Sequence, residues 1–319
     1  MRTRGIVILV ATIALAIALA FASAPASAID RDSGEFWTYD ALLEIDGVPT
    51  NGTITYHFED RDSIIVGNVE YDINVYSMEG SLWGSLDWFD STSVVSAALG
   101  GFVYETTDGM AILEEDEIKW TNSSWSLGSD TFASYARTGI VSLYDPPLMS
   151  AFDPRTTGLG DTWLETINVE TITEIRNATE PLLNSHDYET MTISFMTSSA
   201  LETVVTSAGE FKALRITATV TQGKDEGSHE VYYWSSEVQN FVKREAFGQG
   251  HAQPYLSLTL KDYRLVSLNT VLFVMVGIAV LAAALMILTA VLLTRRRPGQ
   301  PVTGQPATPP VPPPWSPSS

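Results

Sequence analysis

Cysteine is absent from the 319 residues. That removes disulfides, thiol catalysis, thiolate metal sites and a lipobox-type lipid anchor. Basic residues are few: 18 Lys and Arg against 38 Asp and Glu, with only five lysines. Every acidic residue lies between Asp30 and Asp262, where 13 basic residues stand against 38 acidic, a net charge of −25. Such a surface repels phosphate backbones, so nucleic acid is not an expected partner. Catalytic motifs are missing too: there is no G-x-S-x-G elbow, no H-E-x-x-H and no P-loop. The four histidines, His57, His186, His229 and His251, share no ligand spacing. Carboxylates are too numerous for sequence to nominate a glycosidase-like pair. The expectation is a protein without catalytic residues or cofactor.

The two ends of the chain are better marked. Arg2 and Arg4 precede an apolar run from Ile6 to Phe21, and small residues then end in Ala26-Ser27-Ala28. That is the layout of a signal peptide over residues 1–28. From Thr270 to Leu293 there is no charge. A helix of that length spans about 36 Å, enough to cross a hydrocarbon core of about 30 Å. Arg295, Arg296 and Arg297 follow and mark the cytoplasmic side. The expectation is a transmembrane helix over 268–293, a cytoplasmic tail over 294–319 and a cell-surface segment between leader and helix. The tail holds nine prolines from Pro298 to Ser319. It reads as extended chain, either a docking peptide for a polyproline-binding partner through Pro309–Trp315 or a solvated tail without one. Glycosylation sequons at Asn51, Asn122 and Asn177 all fall on the expected outer side.

The middle of the chain alternates with period two. Thr53–Phe58, Tyr71–Tyr76, Leu214–Val220 and Leu256–Leu260 each put apolar and polar residues on opposite faces. Asp46-Gly47 and Asp108-Gly109 read as turns. Ser91–Leu99 and Thr131–Thr138 are the only helical candidates. The fold class is mainly β, with antiparallel sheets wet on one side. Internal parallels suggest two duplicated halves, 29–145 and 146–266. Gly34-Glu-Phe-Trp37 parallels Gly160-Asp-Thr-Trp163, the strand after Gly67 parallels that after Gly209, and the Tyr104 segment parallels the Tyr233 segment. Prolines 146, 147 and 154 mark the boundary.

Three groups of side chains are candidate sites. Tyr232 and Trp234 share one face of an aromatic hairpin and read as cross-strand packing or as a ligand platform. Asp30, Asp32 and Glu35 match part of a calcium loop, without its full pattern. Glu114–Glu117 is either a weak cation site or a solvated turn.

Tyr144-Asp-Pro-Pro-Leu, Gly160-Asp-Thr-Trp, Thr206–Ile216 and Tyr232–Glu245 together resemble a pattern in archaeal surface proteins and bacterial periplasmic proteins. The likeness covers mainly residues 144–246. It extends to the curved half-barrel of lipoprotein carriers (LolA-like), in which a concave sheet holds acyl chains. The resemblance implies a half-barrel or clamshell and an apolar ligand. No ligand-contact residue carries over, and a membrane helix would depart from those freely diffusing carriers. The leading expectation is a non-catalytic envelope protein whose β domain binds an apolar ligand, a lipid or another envelope component. The alternatives are a structural or adhesive surface protein and a membrane-tethered carboxylate hydrolase.

Overall fold

A computed structural model describes residues 31–265, apart from 89–90, 108–109, 128–129 and 178–182. The expected signal peptide, membrane helix and tail, the Asp108-Gly109 turn and Asp30 lie outside the described residues. The alternating segments become thirteen strands: β1 (Phe36–Ile45), β2 (Val48–Val66), β3 (Val69–Trp88), β4 (Ser91–Thr106), β5 (Ile112–Leu127), β6 (Asp130–Leu148), β7 (Thr162–Asn177), β8 (Leu183–Thr197), β9 (Glu202–Thr206), β10 (Gly209–Gln222), β11 (His229–Ser235), β12 (Asn240–Phe247) and β13 (Leu256–Arg264).

All pairings are antiparallel, and they close a ring. From β1 to β8 each strand pairs with the next, β10 follows β8, and β10–β11–β12–β13 leads back to β1. β9 continues the line of β8 after a bend at 198–201: it pairs with Gly209–Ala213 of β10, and β8 pairs with Ile216–Gln222. The result is a closed twelve-strand barrel, not the half-barrel that the resemblance implied. Closure has a physical reason. An open sheet of this length would expose two rows of unpaired backbone groups, and β1 meeting β13 removes both edges. Asp46 and Gly47 join β1 to β2 with φ of 52° and 75°. That is the left-handed pair a two-residue hairpin needs.

The two helical candidates are strands β4 and β6. In β4, Val95, Ala97 and Leu99 are buried, and successive residues alternate between interior and outside. Pairing on both flanks overrides the weak local preference. The sheet also runs through the expected boundary between halves: β6 holds Pro146 and Pro147, and its earlier part, Ala136–Asp145, pairs with β7. The described residues form one compact unit. Within it the sequence parallels fall in matching places. With β8 and β9 counted as one strand, Trp37 and Trp163 lie on the first strand of each run of six, the Gly67 and Gly209 turns lead into the third, and Tyr104 and Tyr233 lie on the fourth.

Ring closure fixes the direction of every side chain. Trp37, Tyr39, Ala41 and Ile45 of β1 point inward with Ile54 and Phe58 of β2 and Leu258 and Leu260 of β13. A second apolar cluster gathers Ile167, Ile193, Phe195 and Ile216. Outward positions carry Thr53, Thr55, His57 and Glu59 on β2 and Ser77, Glu79 and Ser81 on β3. On these two strands the outer row is polar.

One end of the barrel is plugged by its loops. Met110, between β4 and β5, accepts a hydrogen bond at Sδ from Trp234 Nε1 at 3.1 Å. Phe152, between β6 and β7, packs edge-on against the same indole. Arg31 lies 4.5 Å over the Trp37 ring and donates to the Gln239 carbonyl, and Trp37 Nε1 donates to the Val238 carbonyl. Glu165 of β7 organises the β6–β7 loop. Its buried carboxylate accepts from the Met149 and Ala151 amides at 2.9 Å each and from Trp163 Nε1 at 3.1 Å.

Replacing a buried acceptor strands three donors, each costing about 1 kcal/mol or more. Glu165→Ala should therefore lower stability by about 3 kcal/mol and speed tryptic cleavage after Arg155 in the loop. Denaturant titration and timed proteolysis would show both. An unchanged cleavage rate would mean that Glu165 does not hold the loop.

Candidate functional site

About eight strands enclose an interior that side chains just fill; twelve leave more room. At the end opposite the plug that room is a cavity of about 370 Å³. Its floor is apolar, with Ile167 and Val169 of β7, Met191 and Ile193 of β8, and Ala218 and Val220 of β10. Inward alternation on three adjacent strands produces it, and Ala218 opposite Phe195 keeps it open. Its mouth is polar. Asp187 and Glu189 come from β8, and Lys224 and Asp225 from the β10–β11 turn. Asp187, Lys224 and Asp225 are exposed, so the mouth meets solvent.

A polar wall closes the cavity on its inner side. Arg244 of β12 donates from Nε to Glu230 Oε2 of β11 at 2.9 Å and lies over the Tyr232 ring at 5.4 Å. Tyr232 Oη donates to the same Glu230 oxygen at 2.5 Å. Across the ring, Tyr144 of β6 donates to Glu115 of β5 at 3.0 Å. Burial pushes the Glu230 carboxyl up, but Arg244 and the Tyr232 hydroxyl more than offset it, and the group ends below the usual carboxylate range. Burial drives the Tyr144 and Tyr232 hydroxyls well up, so both stay protonated donors.

Beyond that wall lies a smaller space of about 70 Å³ between Tyr39, Tyr56, Tyr76, Glu105, Glu115 and Arg244. Arg31 Nε donates to Tyr76 Oη at 3.0 Å, and Tyr76 is hydrogen-bonded in turn to Glu105. Burial raises the Glu105 carboxyl to about 7, against smaller downward pulls from Arg31 and Tyr76.

No family model, curated protein or solved structure matches this chain. The case for function rests on the barrel itself.

The structure disperses the sequence candidates. Tyr232 and Trp234 share the inner face of β11, as alternation predicts, but do different things: Tyr232 lines both cavities and Trp234 anchors the plug. Glu35 is buried 3.8 Å from the Arg31 guanidinium, and Asp32 accepts the Glu35 amide through its carbonyl. A buried cation beside Glu35 opposes calcium there, and no group of three or more potential ligands for a metal occurs among the described residues. Glu114 and Asp116 face outward while Glu115 and Glu117 face the interior, so the acidic run divides between the two faces of β5. Asn51 and Asn122 are exposed strand residues, and Asn177 is the last residue of β7. Sequence reasoning missed Glu105, Glu165, Glu230 and Arg244. Alternation was the available signal, because Glu230 lies two residues before Tyr232 and shares its face.

A carboxyl raised to about 7 in the folded state destabilises the fold once it ionises. The unfolded group titrates near 4.5. The stability that Glu105 contributes is thus greatest below about 4.5, falls between 4.5 and 7, and stays low above 7. Glu105 borders the small cavity and is only half-buried, so the penalty is about 2 kcal/mol. Glu105→Gln should raise the unfolding free energy by that amount at pH 8 and leave it nearly unchanged at pH 4. Equal effects at both values would show that Glu105 does not titrate across this window.

Proposed function

We propose that the barrel is the ligand-binding part of a single-pass envelope protein and takes an apolar or amphipathic molecule, tail first, into the cavity between β7, β8 and β10. One observation carries this reading: a space of about 370 Å³ with an apolar floor and a polar mouth open to solvent. Its size and lining are those of small-molecule sites. The rim sets three carboxylates, Asp187, Glu189 and Asp225, against Lys224. That field disfavours an anionic head and suits a cationic or hydroxylated one. The likeness to lipoprotein carriers supports the same class of ligand, here within a closed wall.

The membrane anchorage, the outward placement and the non-catalytic role in this proposal rest on the sequence: the leader, the uncharged run over 268–293 and the arginines after it. The structural or adhesive alternative needs no internal space. The hydrolase alternative needs two free carboxylates facing one substrate: Glu230 is tied to Arg244 and Tyr232, so that reading falls to the rim carboxylates Asp187, Glu189 and Asp225.

The test is mass spectrometry of residues 29–266, run natively and after organic extraction, with offered single-chain and double-chain lipids. A stoichiometric apolar ligand is the expected result. Ala218→Phe fills the floor and should weaken uptake at least tenfold with an unchanged circular dichroism spectrum. A clean apo mass with no uptake of any offered lipid would move the weight to a structural or adhesive role.

A further inference from the structure

Register places one outer row across five strands. Asn51 of β2 lies opposite Trp83 of β3, Trp83 opposite Ser96 of β4, Ser96 opposite Asn122 of β5, and Asn122 opposite Tyr135 of β6. Two sequon asparagines thus share a row, and each has an aromatic residue directly across the strand pair. All four side chains are exposed, Trp83 by 56% and Tyr135 by 49%. Around the indole stand Ser81 and Ser85 along β3, Ser96 beside it, and Val94 and Ala98 diagonally across on β4. No aliphatic residue stands in that row, and Trp83 keeps 56% of its surface exposed.

We infer that Asn51 and Asn122 carry N-linked glycans whose first sugars lie on Trp83 and Tyr135. Directly opposed residues have Cβ atoms about 5 Å apart. A pyranose joined to the asparagine amide nitrogen therefore starts beside the ring. One face of the sugar carries axial C–H bonds with partial positive charge, and the aromatic face is negative. Ser96, between the two units, leaves width for a sugar on either side. The glycans form a band on the outer wall and cover aromatic surface that would otherwise meet water. This rests on the outward placement of the barrel and not on its ligand. Failure of lipid uptake leaves it standing, and absence of glycan leaves the cavity reading standing.

The test is a thermodynamic cycle on the full chain, produced with its own leader in a host that N-glycosylates exported proteins. Peptide mapping should find sugar on both asparagines. Asn51→Gln should lower the unfolding midpoint by about 2–4 °C, the shift a single modest contact makes in a domain of this size. In a Trp83→Ala background the same change should shift it by less than about 1 °C. Trimming the glycan to its first sugar should preserve the midpoint. Unmodified asparagines, or an equal shift with and without Trp83, would overturn the proposal.

Discussion

Closure of the hydrogen-bond ring governs this molecule. Once β1 pairs with β13 and β10 joins β8 to β11, each residue of twelve strands is committed to the inside or the outside. No side chain can change face without a bulge. Of the bulges, one at Thr221 beside β8 lies at the cavity end, and those at Lys261 beside β1, Val242 beside β11, Glu59 beside β3 and Leu113 beside β4 lie toward the plugged end. There the regular alternation gives way to loops that must reach across the opening.

The ring encloses more space than its apolar residues fill, and the protein uses the remainder in two ways. Near the plug, Met110 and Phe152 converge on Trp234, and Arg31 and the Val238 carbonyl on Trp37. Further along, charged and phenolic groups meet across the interior, with Arg244 between the Glu230 and Tyr232 pair and the carboxylates of β5. A buried ion of this kind gains little net stability. Its value is positional: it keeps Tyr232 and Tyr144 as fixed walls, and the apolar floor stays separate from the acidic inner chamber.

The strands were legible because their residues alternate, and the Asp46-Gly47 turn because its chemistry is local. Closure was not legible. No residue in β1 announces that its partner is β13, and the half-barrel expectation followed from a likeness confined to the second half. The helical expectation at Ser91–Leu99 failed for a related reason, since small residues packed on both flanks give little local signal. Tyr232 was found through its aromatic hairpin. Arg244 and Glu105 were not, because a charged residue on an inward position looks like any surface charge until the ring is closed around it. The 38 acidic residues made those few inward ones harder to see.

The pairing of the first strand with the last also sets an order of events. Phe36 lies opposite Arg264, so the ring cannot close until nearly the whole described segment has been made. Before then β1 has only β2 beside it, and Trp37 lacks the Val238 carbonyl that its indole needs. Contacts so distant in sequence form slowly. The growing chain can therefore enclose its lumen only after the final strand has arrived.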